Sequence, residues 1–385
     1  MKYRTEDIQP PPIVKLIEAA KKYIASPDFL NLGQGLPGHI PPEDALTALR
    51  DRMSHPSTHL YTPDEGLLEL REELALYLRQ KSGIDVNPQN ELVITAGANN
   101  AFAGAMLTLL KPNEKVIMPT PYYFNEVMAV RLVGGQVVEA PVNNEFQPQV
   151  EEIEAAIDKD TRAICLISPN NPTGAVYNKN IIDQIVNLCI QHDIILVSDE
   201  TYSRMVFDGA NHYSPRSRRD ASEHVLTLGS FSKDFGMSGW RVGFVVGPPS
   251  FIRELLKVQD TVSICAPTAG QLLALEILKE GLDEVEKELG RLNLLRELAY
   301  VRMREIEAFE TVHTKGTFYL FPRVKDCTDS RNLVMDILRS TGTLLLPGVI
   351  FGSAGEGHVR ISIGPLTPEA VDEAFDRLSR YFNRS

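Results

Sequence analysis

The stretch AICLISPNNPTGAVYNKNIIDQIVNLCIQHDIILVSDETY, residues 163–202, decides the fold class. It opens on a continuous apolar run, Ala163–Ser168, turns at Asn170-Asn171-Pro172-Thr173-Gly174, and then places apolar residues at helical spacing over Asn178–His192. A second apolar run, Ile194–Ser198, ends at Asp199-Glu200-Thr201-Tyr202. Neither run alternates polar with apolar residues, as a strand with one wet face would. A continuous Val/Ile/Leu/Ala run marks a strand covered on both sides. The same rhythm extends outward in both directions. Leu92–Thr95, Lys115–Met118 and Gln136–Ala140 come before, and Val225–Gly229 and Val242–Val246 come after, with helical patterns between several of them. That alternation predicts an α/β chain built on a mostly parallel seven-stranded sheet covered by helices. The last run follows its predecessor closely and is expected to be antiparallel.

Beyond residue 250 the texture changes. Leu282–Phe309 is long and highly charged, with apolar residues at helical spacing, as expected of a helix bridging two domains. Short strands are expected at Thr317–Pro322, Thr343–Pro347 and His358–Ile363, and helices at Ser330–Ser340 and Pro368–Phe382, which reads as a smaller α+β domain. The N-terminal segment, with Pro10-Pro11-Pro12, Pro37 and Pro41-Pro42, does not read as a domain of its own.

Composition narrows the function classes. The chain has 385 residues, enough for two to three domains at about 150 residues each. Hydrophobic residues make up 43% and charged residues 23%, too apolar for disorder. Acidic residues outnumber basic ones, 51 to 39, for a net charge of −12, so nucleic acid is disfavoured as a main partner. The four cysteines (Cys165, Cys189, Cys265, Cys327) form no CxxC pair, and the eight histidines form no HExxH pattern, so neither a disulfide framework nor a metal site is expected. Met1–Asp7 contains no apolar leader and no segment reaches ~18 uninterrupted apolar residues, which points to a cytoplasmic protein outside the membrane.

Gly33-Gln34-Gly35-Leu36-Pro37-Gly38 matches the GxGxxG dinucleotide fingerprint, but Pro37 interrupts the turn and no βαβ unit surrounds it. It reads better as a loop passing close to another ligand. Polar residues gather elsewhere, at the carboxyl ends of the expected strands, where open α/β sheets bind ligands. Ala96-Gly97-Ala98-Asn99-Asn100 opens a helix whose free N–H groups suit a phosphate. Pro121-Tyr122-Tyr123 offers an aromatic face, followed on successive strands by the Asn171 turn, Asp199–Tyr202 and Ser230-Phe231-Ser232-Lys233, with Arg241 eight residues on. One rim thus collects a carboxylate, a phenol, an amide, a lysine, an arginine and a phosphate cradle.

Along almost its whole length the chain resembles the fold-type I pyridoxal-phosphate (PLP) enzymes of the aminotransferase class I/II family. The resemblance rests on the Tyr61–Gly66–Leu70-Arg71 segment, Asn171-Pro172-Thr173-Gly174, Asp199–Tyr202, Ser230–Lys233 with Arg241, and Val359-Arg360-Ile361-Ser362, in that order and spacing. It implies a fold-type I PLP-dependent transferase with a large PLP-binding domain over 47–279 and a small domain from 1–46 plus 280–385. Lys233 would form the Schiff base with the cofactor aldehyde and then move the substrate Cα proton. Asp199 would keep the pyridine nitrogen protonated, making the ring an electron sink. Tyr202 and Asn171 would hydrogen-bond the ring's phenolic oxygen, and Tyr123 would stack on the ring, although adjacent Tyr122 leaves the register open. Gly97, Ala98, Asn99, Ser230, Ser232 and Arg241 would hold the phosphate. Tyr61, reaching over from a second subunit, would complete that cup, which implies a homodimer with shared active sites. Arg360 would take the substrate α-carboxylate with a bidentate fork, and Gly35 would approach the substrate from the closing loop.

The expected activity is therefore a ping-pong transfer of an α-amino group between an amino acid and a 2-oxo acid. A C–S β-lyase on the same fold is the alternative, and a non-catalytic ligand-binding relative a distant one. The substrate is less legible. One aspartate-using branch of the family carries a lysine for the distal carboxylate where this chain has Asn99. Leu36, Ile40 and Phe351 are apolar candidates to line the pocket, and an acidic donor stays open.

Overall fold

A computed structural model of the chain describes residues 3, 5–6 and 8–383; of the leader expected to be absent from Met1–Asp7, positions 1, 2, 4 and 7 lie outside the described residues. In chain order the elements begin with α1 (Pro12–Ile24), β1 (Leu30–Asn31), α2 (Glu43–Met53) and α3 (Leu68–Ser82). There follow β2 (Leu92–Thr95), α4 (Ala98–Leu109), β3 (Lys115–Thr120), α5 (Phe124–Leu132), β4 (Gln136–Pro141), α6 (Val150–Ala156), β5 (Thr161–Ile167), α7 (Lys179–His192), β6 (Ile195–Asp199), β7 (Val225–Ser230) and β8 (Gly243–Val246). The chain continues through α8 (Pro249–Ser263), α9 (Thr268–Glu280), α10 (Leu282–Arg304), β9 (Phe309–Glu310), β10 (Tyr319–Leu320), β11 (Arg323–Val324), α11 (Ser330–Thr341), β12 (Thr343–Leu344), β13 (Leu346–Pro347), β14 (Val359–Ser362) and α12 (Pro368–Phe382).

Strands β2 to β8 form one seven-stranded sheet in the order β2-β8-β7-β6-β5-β3-β4. All its pairings are parallel except those of β8, which runs antiparallel to both β2 and β7. The reason is local. Between Ser230 and Gly243 the chain forms no α-helix, only a short helical turn at Ser238–Trp240, so it lacks the crossover helix that usually returns a chain to a parallel partner. The inner strands β7 and β8, and β2 at one edge, are buried at every residue, as their unbroken apolar runs require. At the other edge, β4 departs from that expectation: Ala140 is its only buried residue. Helix α4 buries Ala101, Phe102, Gly104, Ala105 and Met106 against β7, β8 and α8.

Both ends of the chain meet in a second layer of structure. β1 pairs in parallel with β12, Leu30 opposite Thr343, and β10-β14-β13 form a small antiparallel sheet. The proline-rich N-terminal segment therefore borrows its strand partner from a region some three hundred residues later. The charged stretch from Leu282 is helical as far as Arg304, with Val285, Leu289, Leu292, Ala299 and Met303 on its buried face. Residues 46 and 47, where the sequence reading places the domain division, lie within α2, which packs on α9. Among the described residues no helix is long and apolar enough to cross a membrane.

Candidate active site

Strand register builds the site. Ile167 on β5 pairs with Asp199 on β6, Asp199 with Leu228 on β7, and Ser230 with Gly243 on β8, which in turn faces Thr95 on β2. The carboxyl ends of β2, β5, β6 and β7 therefore open on one rim. Because β8 is antiparallel, Arg241, two residues before its start, reaches the same rim, in a left-handed conformation with φ +52°. A cavity of about 240 Å³ lies there, lined among others by Gly35, Leu36, Ala98, Asn99, Tyr123, Asn171, Asp199, Tyr202, Ser230, Ser232, Lys233, Arg241 and Arg360. Residues far apart in the chain are thus brought together as the strand-end pattern predicts.

Lys233 donates from Nζ to the Gly35 carbonyl at 2.5 Å. Burial, with the nearby Arg360 and Arg241 charges, lowers its amine to about 8. Asp199 is buried and its Oδ1 accepts from the Thr201 N–H at 2.8 Å; burial raises its carboxyl, and the Thr201 bonds work against the rise. Arg360, 2% exposed, donates to the Asn171 Oδ1 at 2.8 Å and to the Gly33 carbonyl at 2.7 Å. Its guanidinium lies 4.4 Å from the Tyr319 ring centre and 5.1 Å from that of Phe351. These partners orient the cation without neutralising it: among the described residues it has no carboxylate partner, an arrangement suited to an incoming anion.

At the other end of the cavity, Gly97 (φ +87°) turns the chain into α4, leaving the first helical N–H groups to face outward. A Cβ at Gly97 would also press on the Arg241 guanidinium, and the φ of +87° favours glycine whatever the space. Arg241 donates to the Ser232 Oγ at 3.3 Å, and the Ser230 Oγ accepts from the Ser232 N–H at 3.0 Å. Helix start, two hydroxyls and a guanidinium make a phosphate-type cradle.

The profile of the family "Aminotransferase class I and II" matches residues 27–378. The chain belongs to that family. It is 35% identical over 385 residues to an aromatic-amino-acid aminotransferase 2 of Thermococcus litoralis (98% of this chain, 97% of the relative). It is also 35% identical over 388 residues to an aspartate aminotransferase of Pyrococcus abyssi (99% and 97%). A crystal structure of an aromatic aminotransferase from Pyrococcus horikoshii superposes with a TM-score of 0.89 at 35% identity, covering 96% of this chain and 99% of that one. The protein is an aminotransferase of fold type I, a class that uses PLP. The aminotransferase cavity fits that cofactor by its donor set: a phosphate cradle at one end, a buried carboxylate for a ring N–H at the other, and a low-pKa lysine on the same wall.

The structure also separates candidates that the sequence left together. Tyr123 lines the aminotransferase cavity, whereas Tyr122 is buried elsewhere and donates to the Glu139 Oε1 at 2.6 Å. Leu36 is in the wall; Ile40 is 73% exposed, and Phe351 is buried beneath Arg360 rather than in the lining, so neither of these two forms the pocket surface as expected. Tyr61 is 78% exposed and does not line this chain's cavity. Tyr319 was not foreseen. Its hydroxyl lies 2.9 Å from that of Tyr202, and a Cβ at Gly35 would strike it. No local pattern marks Tyr319; it reaches the site through the pairing of β10 with β14, Tyr319 opposite Ser362.

Asp234, next to Lys233, accepts from the Arg204 N–H at 3.1 Å and the Ser203 hydroxyl at 3.3 Å. Burial nevertheless pushes its carboxyl up to about 7. The folded chain then keeps a proton that the unfolded chain, at the ordinary 3.8, has released, so this contribution to stability is full below pH about 4 and falls as pH rises to about 7. Asp234→Asn is expected to flatten the urea midpoint against pH over that window, and equal slopes in the two proteins would refute the assignment.

Proposed function

We propose that the chain transfers an α-amino group from an amino acid to a 2-oxo acid by a ping-pong cycle, with PLP held between the Gly97–Asn99 turn and Asp199. The observation that carries this reading is Lys233, lowered to about 8, opening on one cavity with an Arg360 guanidinium that has no acidic partner among the described residues. Lys233 would hold the cofactor through Nζ and, once the substrate amine takes its place, carry the proton from Cα. PLP supplies the electron sink that makes this proton acidic. Asp199 would hold the ring N–H, while Tyr202 and Asn171 would bond the phenolic oxygen and Tyr123 would cover the ring face. Ala98, Asn99, Ser230, Ser232 and Arg241 would bind the phosphate. Arg360 would fork onto the α-carboxylate, with the Gly35 loop excluding water above it.

All three cations in the cavity wall, Lys233, Arg241 and Arg360, have work in this scheme. The remaining wall, with Ile13, Leu36 and Tyr123, favours donors with neutral apolar or aromatic side chains over acidic ones. The test is a panel of amino donors with 2-oxoglutarate. Glutamate formation supports transfer, whereas pyruvate released without an acceptor identifies the lyase. A panel on which aspartate alone is active would overturn the donor class.

Only an uncharged Lys233 amine can attack the cofactor aldehyde. Covalent capture of PLP by the cofactor-free protein should therefore accelerate with pH around a midpoint near 8. A midpoint near the ordinary 10.5 would show that burial does not tune this amine.

The exposure of Tyr61 supports a homodimer in which this phenol completes the partner's phosphate cup. Tyr61→Phe should weaken PLP affinity about 10-fold, the worth of one charge-assisted hydrogen bond, in a protein that sediments as a dimer. Unchanged affinity, or a monomer with full activity, contradicts it. We also place the large domain between Glu43 and Glu280, with both chain ends forming the small one. The four free cysteines support a reducing, cytoplasmic setting.

A further inference from the structure

Glu126, in the first turn of α5, is a carboxyl group that the scheme above does not use. It is 3% exposed. Its Oε2 accepts a weak bond from the Cys165 thiol at 3.4 Å, and its Oε1 is buried without any N–H or O–H donor among the described residues. The titratable groups that face it are the Asp199 carboxyl on β6, the Cys165 thiol on β5 and the phenols of Tyr123 and Tyr177. None of them is a cation. Strand register puts Asp199 on the sheet face of Cys165, with Cys165 opposite Val197 and Ile167 opposite Asp199, and this is the face that Glu126 meets through the Cys165 thiol; the two carboxyl groups are electrostatic neighbours there. Two carboxylates in one buried site cannot both be ionised, so they share a proton. The surroundings say which keeps it: Asp199 already accepts a backbone N–H from Thr201, and Glu126 has only a thiol.

We propose that Glu126 is a positioning residue that stays protonated and donates a hydrogen bond to the Asp199 carboxylate, so that the pair carries one negative charge, located on Asp199. Burial and the Asp199 charge both push the Glu126 carboxyl well above its usual range, in the same sense. A neutral donor behind Asp199 makes that carboxylate a weaker base. The proton shared between Asp199 and the cofactor ring then stays on the ring nitrogen, where it serves the electron sink. This consequence rests on the proposed contact between Asp199 and PLP; the protonation of Glu126 itself does not.

The test compares wild-type protein, Glu126→Gln and Glu126→Leu in two measurements. Infrared spectra at neutral pH, without cofactor and loaded with PLP, should show a buried protonated-carboxyl band that Glu126→Gln removes. In the loaded proteins, the pH midpoint of the cofactor's absorption change should move by less than about half a unit in Glu126→Gln, which keeps both donor and charge. It should rise by about one unit or more in Glu126→Leu, because Asp199 then draws the ring proton away. An infrared band that Glu126→Gln leaves unchanged, a large midpoint shift in Glu126→Gln, or a Glu126→Leu midpoint equal to the wild type overturns the proposal. If Glu126→Leu does not fold, the wild type and Glu126→Gln decide alone. If the wild type takes up no PLP, the proposed function fails, while the infrared band still reads the carboxyl pair.

Discussion

Lys233→Ala is expected to lower the rate of amino transfer by about 10⁴- to 10⁶-fold, the scale on which removing a nucleophile that doubles as a proton carrier acts. The side chain is half-buried and, among the described residues, its Nζ bonds only the Gly35 carbonyl, so its loss opens little space and leaves the fold intact. The phosphate cradle is untouched, because Gly97, Ser230, Ser232 and Arg241 bond each other and the backbone rather than Lys233. The variant should therefore still bind PLP but without a covalent link, so that borohydride attaches no cofactor to the chain. Glutamate formation from the preferred donor measures the rate, and denaturation midpoints check the fold. A variant within 10-fold of the wild-type rate would falsify the assignment of Lys233.

Arg360→Ala should lower kcat/KM by about 10²- to 10³-fold, for amino acid and 2-oxo acid alike, because both present the same α-carboxylate to a buried guanidinium. Arg360→Lys should not restore it. A single ammonium cannot reproduce the planar fork, and it would forfeit the bonds to Asn171 and Gly33 and the stacking over Tyr319 that aim the guanidinium. PLP affinity should fall far less than substrate affinity, since Arg360 touches neither the Gly97 turn nor Asp199 and meets the proposed cofactor contacts only through Asn171. That split between substrate and cofactor separates a carboxylate anchor from a merely structural arginine. Full activity in Arg360→Lys, or equal losses in PLP and substrate affinity, would remove Arg360 from substrate binding.

The two residues differ in how far the sequence revealed them. Lys233 follows the apolar run of β7 within a few residues, as Asp199 closes that of β6, so a strand-end rule places both on the rim. Arg360 is in the middle of a buried strand, where composition alone would suggest packing. Only its motif, read as part of a family resemblance, singled it out. Asn171, which orients it, is 189 residues away in the chain.

What the sequence determined by itself is what depends on neighbours along the chain. Unbroken apolar runs define buried strands, Gly97 defines a turn that favours glycine, and the link from Ser230 to Gly243, without a crossover helix, makes β8 antiparallel. The tertiary structure decided what depends on pairing across long separations. It set Tyr319 against Tyr202 across 117 residues, turned Tyr123 rather than Tyr122 into the cavity, and placed the Glu126 carboxyl on the Asp199 face of the sheet with no cation among the described residues to balance it. Local periodicity encodes which face of an element is buried, but not which side chain from another element it will meet. In this protein, the proton held between Glu126 and Asp199 depends on that meeting.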